Sequence, residues 1–384
     1  MEKSNNYRHT KIRQVYDLCN MKKNNLQSFI RADLKDWECY SPGDSAWELA
    51  TRFGVDVEGV IKLNANENPY GPSPAARKAI ESQRWYNYYP GGNYTDLRKA
   101  LASYIGAAKE QIVIGTGLDE VIDLLLRLTI EPGDEIINCP PTFSMYPLYA
   151  KLNRAKIVSI PRKKDYALDM PAMKNAINKK TKVIFVCNPN NPTGKLTPLS
   201  DIETLLKTGK LVIVDEAYAE FANQTSFLLL KKYDNLIVLR TFSKWAGLAG
   251  LRIGFAVLDP FLAEKFNAIK SPFNVNLAAE TAAIATLSDM SFAKQSIKKL
   301  ISERDRMYKA LQKLNGLITY PSKGNFLFFE LKNKKYAQLK DVFEQNKCAI
   351  RFYDSSLSGQ GVRVTVGKPE QNSIVLKVLK EFFV

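Results

Sequence analysis

The stretch Arg240–Phe255 brings together residue types that are suited to chemistry. Lys244 stands beside Ser243 and close to Thr241, and Arg252 follows eight positions after the lysine. Hydroxyl groups and a guanidinium bind phosphate well, and the glycines between them let the backbone approach a ligand. A lysine that is poorly solvated and near another cation has a lowered pKa and becomes a nucleophilic amine. The stretch predicts a phosphate-binding loop with a reactive lysine; the alternative is a Ser-Lys pair in a surface loop.

Polar residues also follow three other apolar runs of strand length. These runs and the polar segments behind them are Val183–Cys187 with Asn188–Gly194, Leu211–Val214 with Asp215–Tyr218, and Ile112–Ile114 with Gly115–Gly117. The stretch around Lys244 follows a fourth run, Leu236–Leu239. Ligands of parallel α/β sheets bind at the carboxyl ends of the strands. The four matches therefore predict one site assembled from four strand ends.

The elements that would position these segments alternate between strand and helix, which indicates an α/β domain with a mainly parallel sheet. Further predicted strands are Glu135–Cys139, Lys156–Ile160 and Ile253–Leu258, and the predicted helices include one that opens at Leu118, Met145–Leu152, Met170–Asn178 and Leu199–Leu206. Ahead of them, the Asn-, Pro- and Gly-rich segment Ile61–Pro72 predicts an irregular loop of fixed shape.

The C-terminal part of the chain has a different pattern. Helical patterns dominate from about Leu277, and one long helix is predicted from Glu280 to about Leu314. Short strands and a C-terminal helix follow; the strands are Asn325–Glu330, Ala349–Phe352 and Val362–Val366. This pattern predicts a second, smaller α+β domain.

Composition excludes several classes of function. The only histidine is His9, which excludes a Ser-His-Asp mechanism and a histidine-based metal site, so we predict no metal. The five cysteines form no CxxC pair, which predicts reduced thiols in a cytoplasmic protein. No apolar run of about twenty residues occurs and the N-terminus lacks a signal-peptide pattern, which predicts no membrane span and no secretion. The net charge of +16 comes from dispersed lysines without a basic-aromatic module, which predicts no nucleic-acid partner.

The strand-end residues suit a small phosphorylated cofactor. Gly115–Gly117 matches only the start of a dinucleotide fingerprint, and no GxxxxGK[ST] motif occurs. As the start of a helix, the same segment suits a monophosphate. With Thr241, Ser243 and Arg252, it would hold such a cofactor beside Lys244.

The remaining strand-end residues suit an aromatic ring on that cofactor. Asp215 can pair with a cationic ring nitrogen, and Phe143 can cover the face of the ring. Tyr218 and Asn188 can hydrogen-bond a phenolic oxygen. A phosphate, a lysine Schiff base, a buried carboxylate and donors to a phenolic oxygen together describe pyridoxal 5′-phosphate (PLP).

The chain resembles the fold-type-I PLP-dependent aminotransferases of class I/II, and within them the histidinol-phosphate group. The matching segments run in family order; they are Leu63–Pro69, Tyr89-Pro90, Cys139–Phe143, Asn188–Gly194, Asp215–Tyr218, Arg240–Arg252 and Val362–Gly367. The resemblance implies a large PLP-binding domain with a mainly parallel sheet and a smaller α+β domain. We predict the large domain over residues 76–276, the small domain over 277–384, and an N-terminal arm and lead-in over 1–75 that joins the small domain.

The resemblance also implies a role for each residue around the cofactor ring. Lys244 would form the Schiff base and carry the proton between the substrate Cα and the cofactor C4′. Asp215 would keep the ring nitrogen protonated. Tyr218 and Asn188 would contact the ring oxygen, and Phe143 would stack on the ring.

For the cofactor phosphate, the resemblance implies a second set of residues. The backbone at Leu118 and Asp119 would hold the phosphate together with the side chains of Thr241, Ser243 and Arg252.

Tyr89 would reach the phosphate of the neighbouring subunit's cofactor, which implies a homodimer with shared sites. The family commonly has Tyr-Pro-Asp-Pro here, whereas this chain has Tyr89-Pro90-Gly91-Gly92. The glycines loosen the loop but keep the tyrosine.

Substrate choice would depend on Arg351 and Arg363, which in this group meet the substrate phosphate and the carboxylates of glutamate and 2-oxoglutarate. Bidentate pairing of arginine suits both anions. The alternative for Arg351 is a surface residue at a strand end. Asn325 and Tyr70 are weaker candidates for lining the substrate pocket, and Asn325 suits a turn nearly as well.

The activity implied is ping-pong transamination between L-histidinol phosphate with 2-oxoglutarate and imidazole-acetol phosphate with L-glutamate, in histidine biosynthesis. Two alternatives keep the cofactor: an aromatic or broad-range aminotransferase, and a phosphothreonine decarboxylase. A non-catalytic regulator with the same fold is a third alternative. Intact Lys244 and Asp215 and the lack of a recognisable DNA-binding domain argue against the regulator.

Overall fold

The computed structural model of the chain describes residues 28–37, 43–355 and 359–383. The chain divides into two compact units, Met1–Gly43 and Asp44–Val384. In the first unit, the described residues include a short 3-10 helix, Ala32–Leu34. His9, Cys19 and Cys39 lie outside the described residues. The strands and α-helices that position the predicted site belong to Asp44–Val384.

Strands and helices alternate along most of this unit. The strands β1–β12 are, in chain order, Ile61–Leu63, Ile112–Gly115, Glu135–Asn138, Lys156–Ser159, Thr181–Cys187, Leu211–Asp215, Leu236–Thr241, Gly254–Val257, Leu317–Tyr320, Phe326–Leu331, Cys348–Ser355 and Gly359–Thr365. The α-helices α1–α12 are Ala46–Phe53, Pro74–Ser82, Thr95–Ile105, Gly117–Thr129, Met145–Leu152, Met170–Ala176, Leu199–Leu206, Pro260–Ile269, Leu277–Ser288, Ser291–Leu311, Tyr336–Gln345 and Pro369–Phe382. The predicted α/β fold class is confirmed.

A seven-stranded sheet carries the predicted site. Its strand order is β2-β8-β7-β6-β5-β3-β4, and all neighbours are parallel except β8, which runs antiparallel to β2 and β7. Val183 and Phe185 of β5 pack with side chains of α4 and α5, whereas Ile184 and Val186 pack with those of α7. Burial on both faces explains why these strands are continuous apolar runs in the sequence. The carboxyl ends of β5, β6 and β7 therefore lie side by side.

The second sheet has five strands in the order β1-β11-β12-β10-β9. The prediction that Ile61–Pro72 is wholly irregular is wrong, because Ile61–Leu63 form β1 and pair in parallel with Cys348–Ile350 of β11. Strand β9 is likewise not predicted from the sequence. The partner of β1 lies far along the chain, so the local residue pattern does not reveal the pairing. The pairing fixes the start of the segment that follows β1, Asn64–Asn68, which contacts the site.

The single helix predicted from Glu280 to about Leu314 is also wrong, since two helices, α9 and α10, occupy this range. The break falls at Asp289 and Met290. The Asp289 carboxylate accepts hydrogen bonds from the backbone N–H of Ser291, at 3.0 Å, and from its hydroxyl. Local bonds of this kind compete with the helix ladder, and they start a new helix although the apolar pattern continues.

Within the described ranges, no helix is long and apolar enough to cross a membrane. The same ranges contain no group of three His, Cys, Asp or Glu side chains that could hold a metal ion. Strands β2–β8 fall between residues 76 and 276, and β9–β12 fall after residue 277. The domain boundaries themselves stay a prediction.

Candidate active site

Lys244 lies in the loop that follows β7. Its Nζ donates a hydrogen bond to the carbonyl oxygen of Ala65 at 2.9 Å. Burial, and then the positive charge of Arg363, lower the pKa of Lys244 to about 8, and Arg252 adds to the effect. A lysine with this pKa is partly unprotonated near neutral pH. It can therefore act as a nucleophile and as a carrier of protons.

Asp215 ends β6 and is buried. Its Oδ2 accepts a hydrogen bond from the hydroxyl of Tyr146 at 2.7 Å, and its Oδ1 accepts one from the backbone N–H of Ala217 at 3.0 Å. Burial raises the pKa of Asp215 to about 6, and the bond from Tyr146 opposes that rise. A buried carboxylate of this kind is stabilised by a cationic partner, such as a protonated ring nitrogen.

Tyr218 follows β6 and its hydroxyl oxygen accepts a hydrogen bond from Nδ2 of Asn66 at 3.0 Å. Thr365 fixes the orientation of the Asn66 amide. Its Oγ1 accepts from the backbone N–H of Asn66 at 2.9 Å and donates to Oδ1 of the same residue at 3.2 Å. Because Asn66 donates to the phenolic oxygen, the hydroxyl proton of Tyr218 remains available for an oxygen of a ligand.

Asn188 contacts Asp215 through the backbone, whereas Phe143 contacts Tyr146, whose hydroxyl binds Asp215. The backbone N–H of Asn188 donates to the backbone oxygen of Asp215 at 2.8 Å. The Asn188 side chain is held by Thr197, whose backbone N–H donates to Oδ1 at 2.8 Å. Phe143 is half-buried, and its ring meets the ring of Tyr146 edge-on, with centroids 5.4 Å apart. The predicted roles of Asn188 at the ring oxygen and of Phe143 on the ring face stay predictions.

The N-terminus of α4 lies against Arg252. A Cβ at Gly117 would stand 2.6 Å from Nη2 of Arg252, so only glycine lets the guanidinium come this close. Arg252 donates to Oδ2 of Asp119 at 2.9 Å. The Thr116 side chain does not cap the helix, since its hydroxyl donates to a carbonyl outside α4. The first N–H groups of α4, among them that of Leu118, can therefore bind an anion.

Thr241 and Ser243, the other predicted members of this anion site, are buried at the end of β7 and just after it. Their hydroxyl oxygens are 3.0 Å apart, and the backbone N–H of Ser243 donates to Oγ1 of Thr241 at 3.1 Å. Two hydroxyls, a guanidinium and an uncapped helix are donors that suit a phosphate. Together with the Lys244 amine and the buried Asp215 carboxylate, these residues fit PLP.

A buried ion cluster joins the ends of β6 and β7 next to these residues. Arg240 binds Glu216 through Nε at 3.0 Å and Glu220 through Nη1 at 2.7 Å. The hydroxyl of Tyr104 also donates to Glu220, at 3.3 Å. Trp245, the residue after Lys244, is buried and stacks on Tyr104 with centroids 5.8 Å apart. The cluster and the stacked rings fix the loop that carries Lys244.

Arg363 and Arg351 face each other on neighbouring strands of the small sheet, directly opposite in the antiparallel pair β11–β12. Arg363 is buried, and it donates to Oδ1 of Asn191 at 2.6 Å and to the backbone oxygen of Asn64 at 2.5 Å. Its Nε has no hydrogen-bond partner in the described part of the chain, nor does the buried Oδ1 of Asn325. Like charges placed opposite each other repel, and a bound anion would relieve the repulsion.

Two predicted site residues make contacts elsewhere. Tyr89 is 81% exposed and stacks on Phe273 with centroids 4.8 Å apart. The ring of Tyr70 lies 5.3 Å from Nζ of Lys299, and burial, with the charge of Glu303, raises the pKa of Tyr70. Neither set of contacts includes another residue of the predicted site. The role of Tyr70 stays a prediction without a supporting contact.

Four residues that contact the predicted site are not predicted from the sequence as site residues: Tyr146, Ala65, Asn66 and Asn191. Ala65, Asn66 and Asn191 lie inside segments that match the family. The match of these segments indicates that they are near the site, but it does not indicate which of their residues make the contacts. Tyr146 stands three positions after Phe143 on a helical pattern, a spacing that indicates only a shared face.

The chain is similar to aminotransferases along most of its length. The family model described as aminotransferase class I and II matches residues 58–379. A histidinol-phosphate aminotransferase of Dehalococcoides mccartyi is 43% identical over 93% of this chain and 98% of its own length. A chloroplastic histidinol-phosphate aminotransferase of Arabidopsis thaliana is 39% identical over 93% of this chain and 86% of its own.

A solved structure has the same fold. Histidinol-phosphate aminotransferase from Sinorhizobium meliloti, in complex with pyridoxal-5′-phosphate, superposes with a TM-score of 0.83 at 24% identity, over 92% of this chain and 98% of that chain. The match of the family model and the identity to the curated relatives lead to one conclusion: the chain belongs to the aminotransferase class I and II family.

Proposed function

We propose that the chain transfers the amino group of L-histidinol phosphate to 2-oxoglutarate and forms imidazole-acetol phosphate and L-glutamate, a step of histidine biosynthesis. Curated histidinol-phosphate aminotransferases at 39–43% identity support the proposal. The structural observation that carries the proposal is the pair Arg351 and Arg363, which lie opposite each other on β11 and β12. The buried Nε of Arg363 has no hydrogen-bond partner among the described residues, so it can donate to a bound anion.

PLP is the cofactor, and when bound it accepts the electron pair that is released at the substrate Cα. Asp215 would hold its ring nitrogen, because a buried carboxylate next to Tyr146 lacks a cation of its own. Tyr218 would donate its hydroxyl proton to the ring oxygen, since Asn66 already donates to the phenolic oxygen. The Asp215 carboxylate can therefore accept a hydrogen bond from the ring nitrogen, and the Tyr218 hydroxyl can donate one to the ring oxygen.

Lys244 would move the proton in both half-reactions. Its Nζ would take the proton from the substrate Cα and deliver it to the cofactor carbon C4′, which lies on the other side of the amino nitrogen. A pKa of about 8 suits this task, because the amine exchanges protons readily at neutral pH. The carbonyl of Ala65 accepts a hydrogen bond from Nζ and so orients it.

Arg351 and Arg363 would bind the substrate phosphate. A phosphate monoester carries about −1.5 to −2 charges at pH 7, so it matches two guanidinium groups better than one. The same pair would bind a carboxylate of glutamate or 2-oxoglutarate in the second half-reaction. One anion site therefore serves both substrates in turn.

We expect the protein with PLP and 2-oxoglutarate to form glutamate from histidinol phosphate with a kcat/KM roughly 10²-fold or more above that from phenylalanine. Phenylalanine offers one singly charged carboxylate in place of the phosphate, so it would neutralise the pair Arg351 and Arg363 less completely. Glutamate formation by a coupled assay measures this ratio. Equal or better use of phenylalanine would support the aromatic or broad-range alternative. Release of CO2 from phosphothreonine would support the decarboxylase.

We also propose that the protein is a homodimer with shared active sites. An exposed aromatic loop supports this, with Trp85 62% exposed and Tyr89 81% exposed. Large exposed aromatic side chains in one loop are typical of a surface that another molecule covers. Tyr89 would then reach the PLP phosphate of the partner subunit.

We place the protein in the cytoplasm, in keeping with the free, buried thiols of Cys139, Cys187 and Cys348.

Mixing two inactive variants would test shared sites. Lys244→Ala and Tyr89→Ala subunits, unfolded and refolded together, should recover activity that neither variant has alone. In each mixed dimer, one site has an intact lysine from one subunit and an intact tyrosine from the other. A mixture no more active than the sum of its components would contradict shared sites, and sedimentation at equilibrium would show whether dimers form at all.

A further inference from the structure

The hydroxyl of Tyr146 donates to the carboxylate of Asp215, and the thiol of Cys187 also lies within hydrogen-bonding reach of this hydroxyl. Tyr146 is fully buried on α5, and its hydroxyl lies 2.7 Å from Oδ2 of Asp215. Its ring stacks on Phe185 with centroids 4.5 Å apart and planes 8° apart. The ring of Phe143 meets it edge-on. This packing fixes the direction of the hydroxyl, and a phenylalanine would fill the same space without the hydrogen bond.

The other groups near Asp215 do not stabilise its negative charge in the same way. Cys187 of β5 stands opposite it in register, and burial raises the pKa of that thiol to about 12. The charges of Asp119 on α4 and of Glu216 in the following loop both raise the pKa of Asp215. The guanidinium of Arg162 donates to the backbone oxygens of Cys139 and Tyr166. Among the described side chains, Tyr146 therefore supplies the hydrogen bond that favours the carboxylate form.

We propose that Tyr146 is a positioning residue: it keeps Asp215 ionised and orients its carboxylate so that the cofactor ring nitrogen is held in its protonated form. The proposal rests on PLP as the cofactor, but not on the identity of the amino donor. The hydrogen bond from Tyr146 to Oδ2 and the backbone bond from Ala217 to Oδ1 hold one oxygen each. A carboxylate fixed at both oxygens cannot turn away from the ring nitrogen.

The direction of the expected effect follows from the charges. Burial already raises the pKa of Asp215 to about 6, and the Tyr146 bond opposes this rise. Without the bond, the carboxyl takes up its proton at a higher pH. A neutral carboxyl does not pair with a protonated ring nitrogen, so cofactor affinity should be lost at a higher pH than in the wild-type protein.

The test is the affinity of the apoprotein for PLP as a function of pH, measured by fluorescence titration without any amino donor. In Tyr146→Phe, the midpoint at which affinity falls on acidification should move up by about one pH unit, and affinity just below that midpoint should drop roughly tenfold. Well above the midpoint the two proteins should bind PLP alike. A profile with an unchanged midpoint would overturn the proposal.

Tyr320→Phe is the matched control, because it also removes a hydroxyl that donates to a carboxylate, that of Glu330 at 2.9 Å, away from Asp215. Its midpoint should stay at the wild-type value. In an Asp215→Asn background, Tyr146→Phe should cause no further shift of the midpoint, since the titrating group is gone. A shift that persists in that background would also overturn the proposal.

Replacement of Tyr146 by 3-fluorotyrosine should shift the pH midpoint of PLP affinity in the opposite direction. This variant tests the proposal if Tyr146→Phe does not fold. A more acidic phenol donates a stronger hydrogen bond to Asp215, so the midpoint should move to lower pH. An upward shift or none would count against the proposal. Because PLP binding is the readout, a wrong assignment of the amino donor would leave all these results unaffected.

Discussion

Lys244→Ala is expected to lower turnover by roughly 10⁴-fold or more, because it would remove the predicted nucleophile and the predicted proton carrier together. The fold should survive. The single hydrogen bond of Nζ goes to the Ala65 carbonyl, and burial already disfavours the charged amine, whose pKa is lowered to about 8. The free energy of unfolding should therefore change by no more than about 1 kcal/mol. Steady-state glutamate formation and thermal unfolding measure the two effects.

Lys195→Ala is a suitable control for Lys244→Ala. Lys195 pairs with Asp165 at 2.7 Å in a partly exposed position, so its loss should leave turnover within a few-fold of the wild-type rate. Wild-type turnover in Lys244→Ala would contradict the mechanism. A large loss of thermal stability in Lys244→Ala would instead mean that the lysine is structural.

Arg363→Ala is expected to lower kcat/KM for histidinol phosphate by roughly 10²- to 10³-fold, because it removes a buried guanidinium that would pair with the phosphate. The Kd for PLP should stay within a few-fold of the wild-type value, because Arg363 binds Asn64 and Asn191 and not the predicted phosphate site. The variant leaves two buried acceptors unpaired, which should lower the free energy of unfolding by about 1–3 kcal/mol.

Arg363→Lys separates charge from geometry. A lysine keeps the positive charge but loses the planar fork, so we expect most of the loss in kcat/KM to remain. Arg363→Ala should also raise the pKa of Lys244 above about 8, since the charge of Arg363 helps to lower it, and Arg363→Lys should not. An Arg363→Ala variant that uses histidinol phosphate as well as the wild-type protein would contradict the predicted role of Arg363.

The four strand ends could be predicted from the sequence because each signal is local. A buried parallel strand is a continuous apolar run, and the residues that follow it stand at one edge of the sheet. The structure accordingly brings Lys244, Asp215 and Tyr218 into one region. Their roles stay predictions, whereas the fold class is confirmed by the family model and the two sheets.

The hydrogen bonds that orient these site residues could not be predicted, because each bond joins two segments that are far apart in the chain. Asn66 binds Tyr218, 152 positions away, and Tyr146 binds Asp215, 69 positions away. The strand β1 shows the same limit, since its partner lies on β11 and no local pattern encodes the pairing. The break between α9 and α10 was missed for another reason: the apolar period continues across Asp289, and a single side chain starts the second helix.

The most direct test of the proposed function is a single half-reaction. The wild-type protein with bound PLP and no 2-oxoglutarate is mixed with histidinol phosphate, and the absorbance of the cofactor is followed in a stopped-flow spectrometer. Histidinol phosphate should convert the cofactor to its amino form in one turnover, and 2-oxoglutarate added afterwards should restore the starting spectrum. A cofactor spectrum that histidinol phosphate leaves unchanged would contradict the central claim.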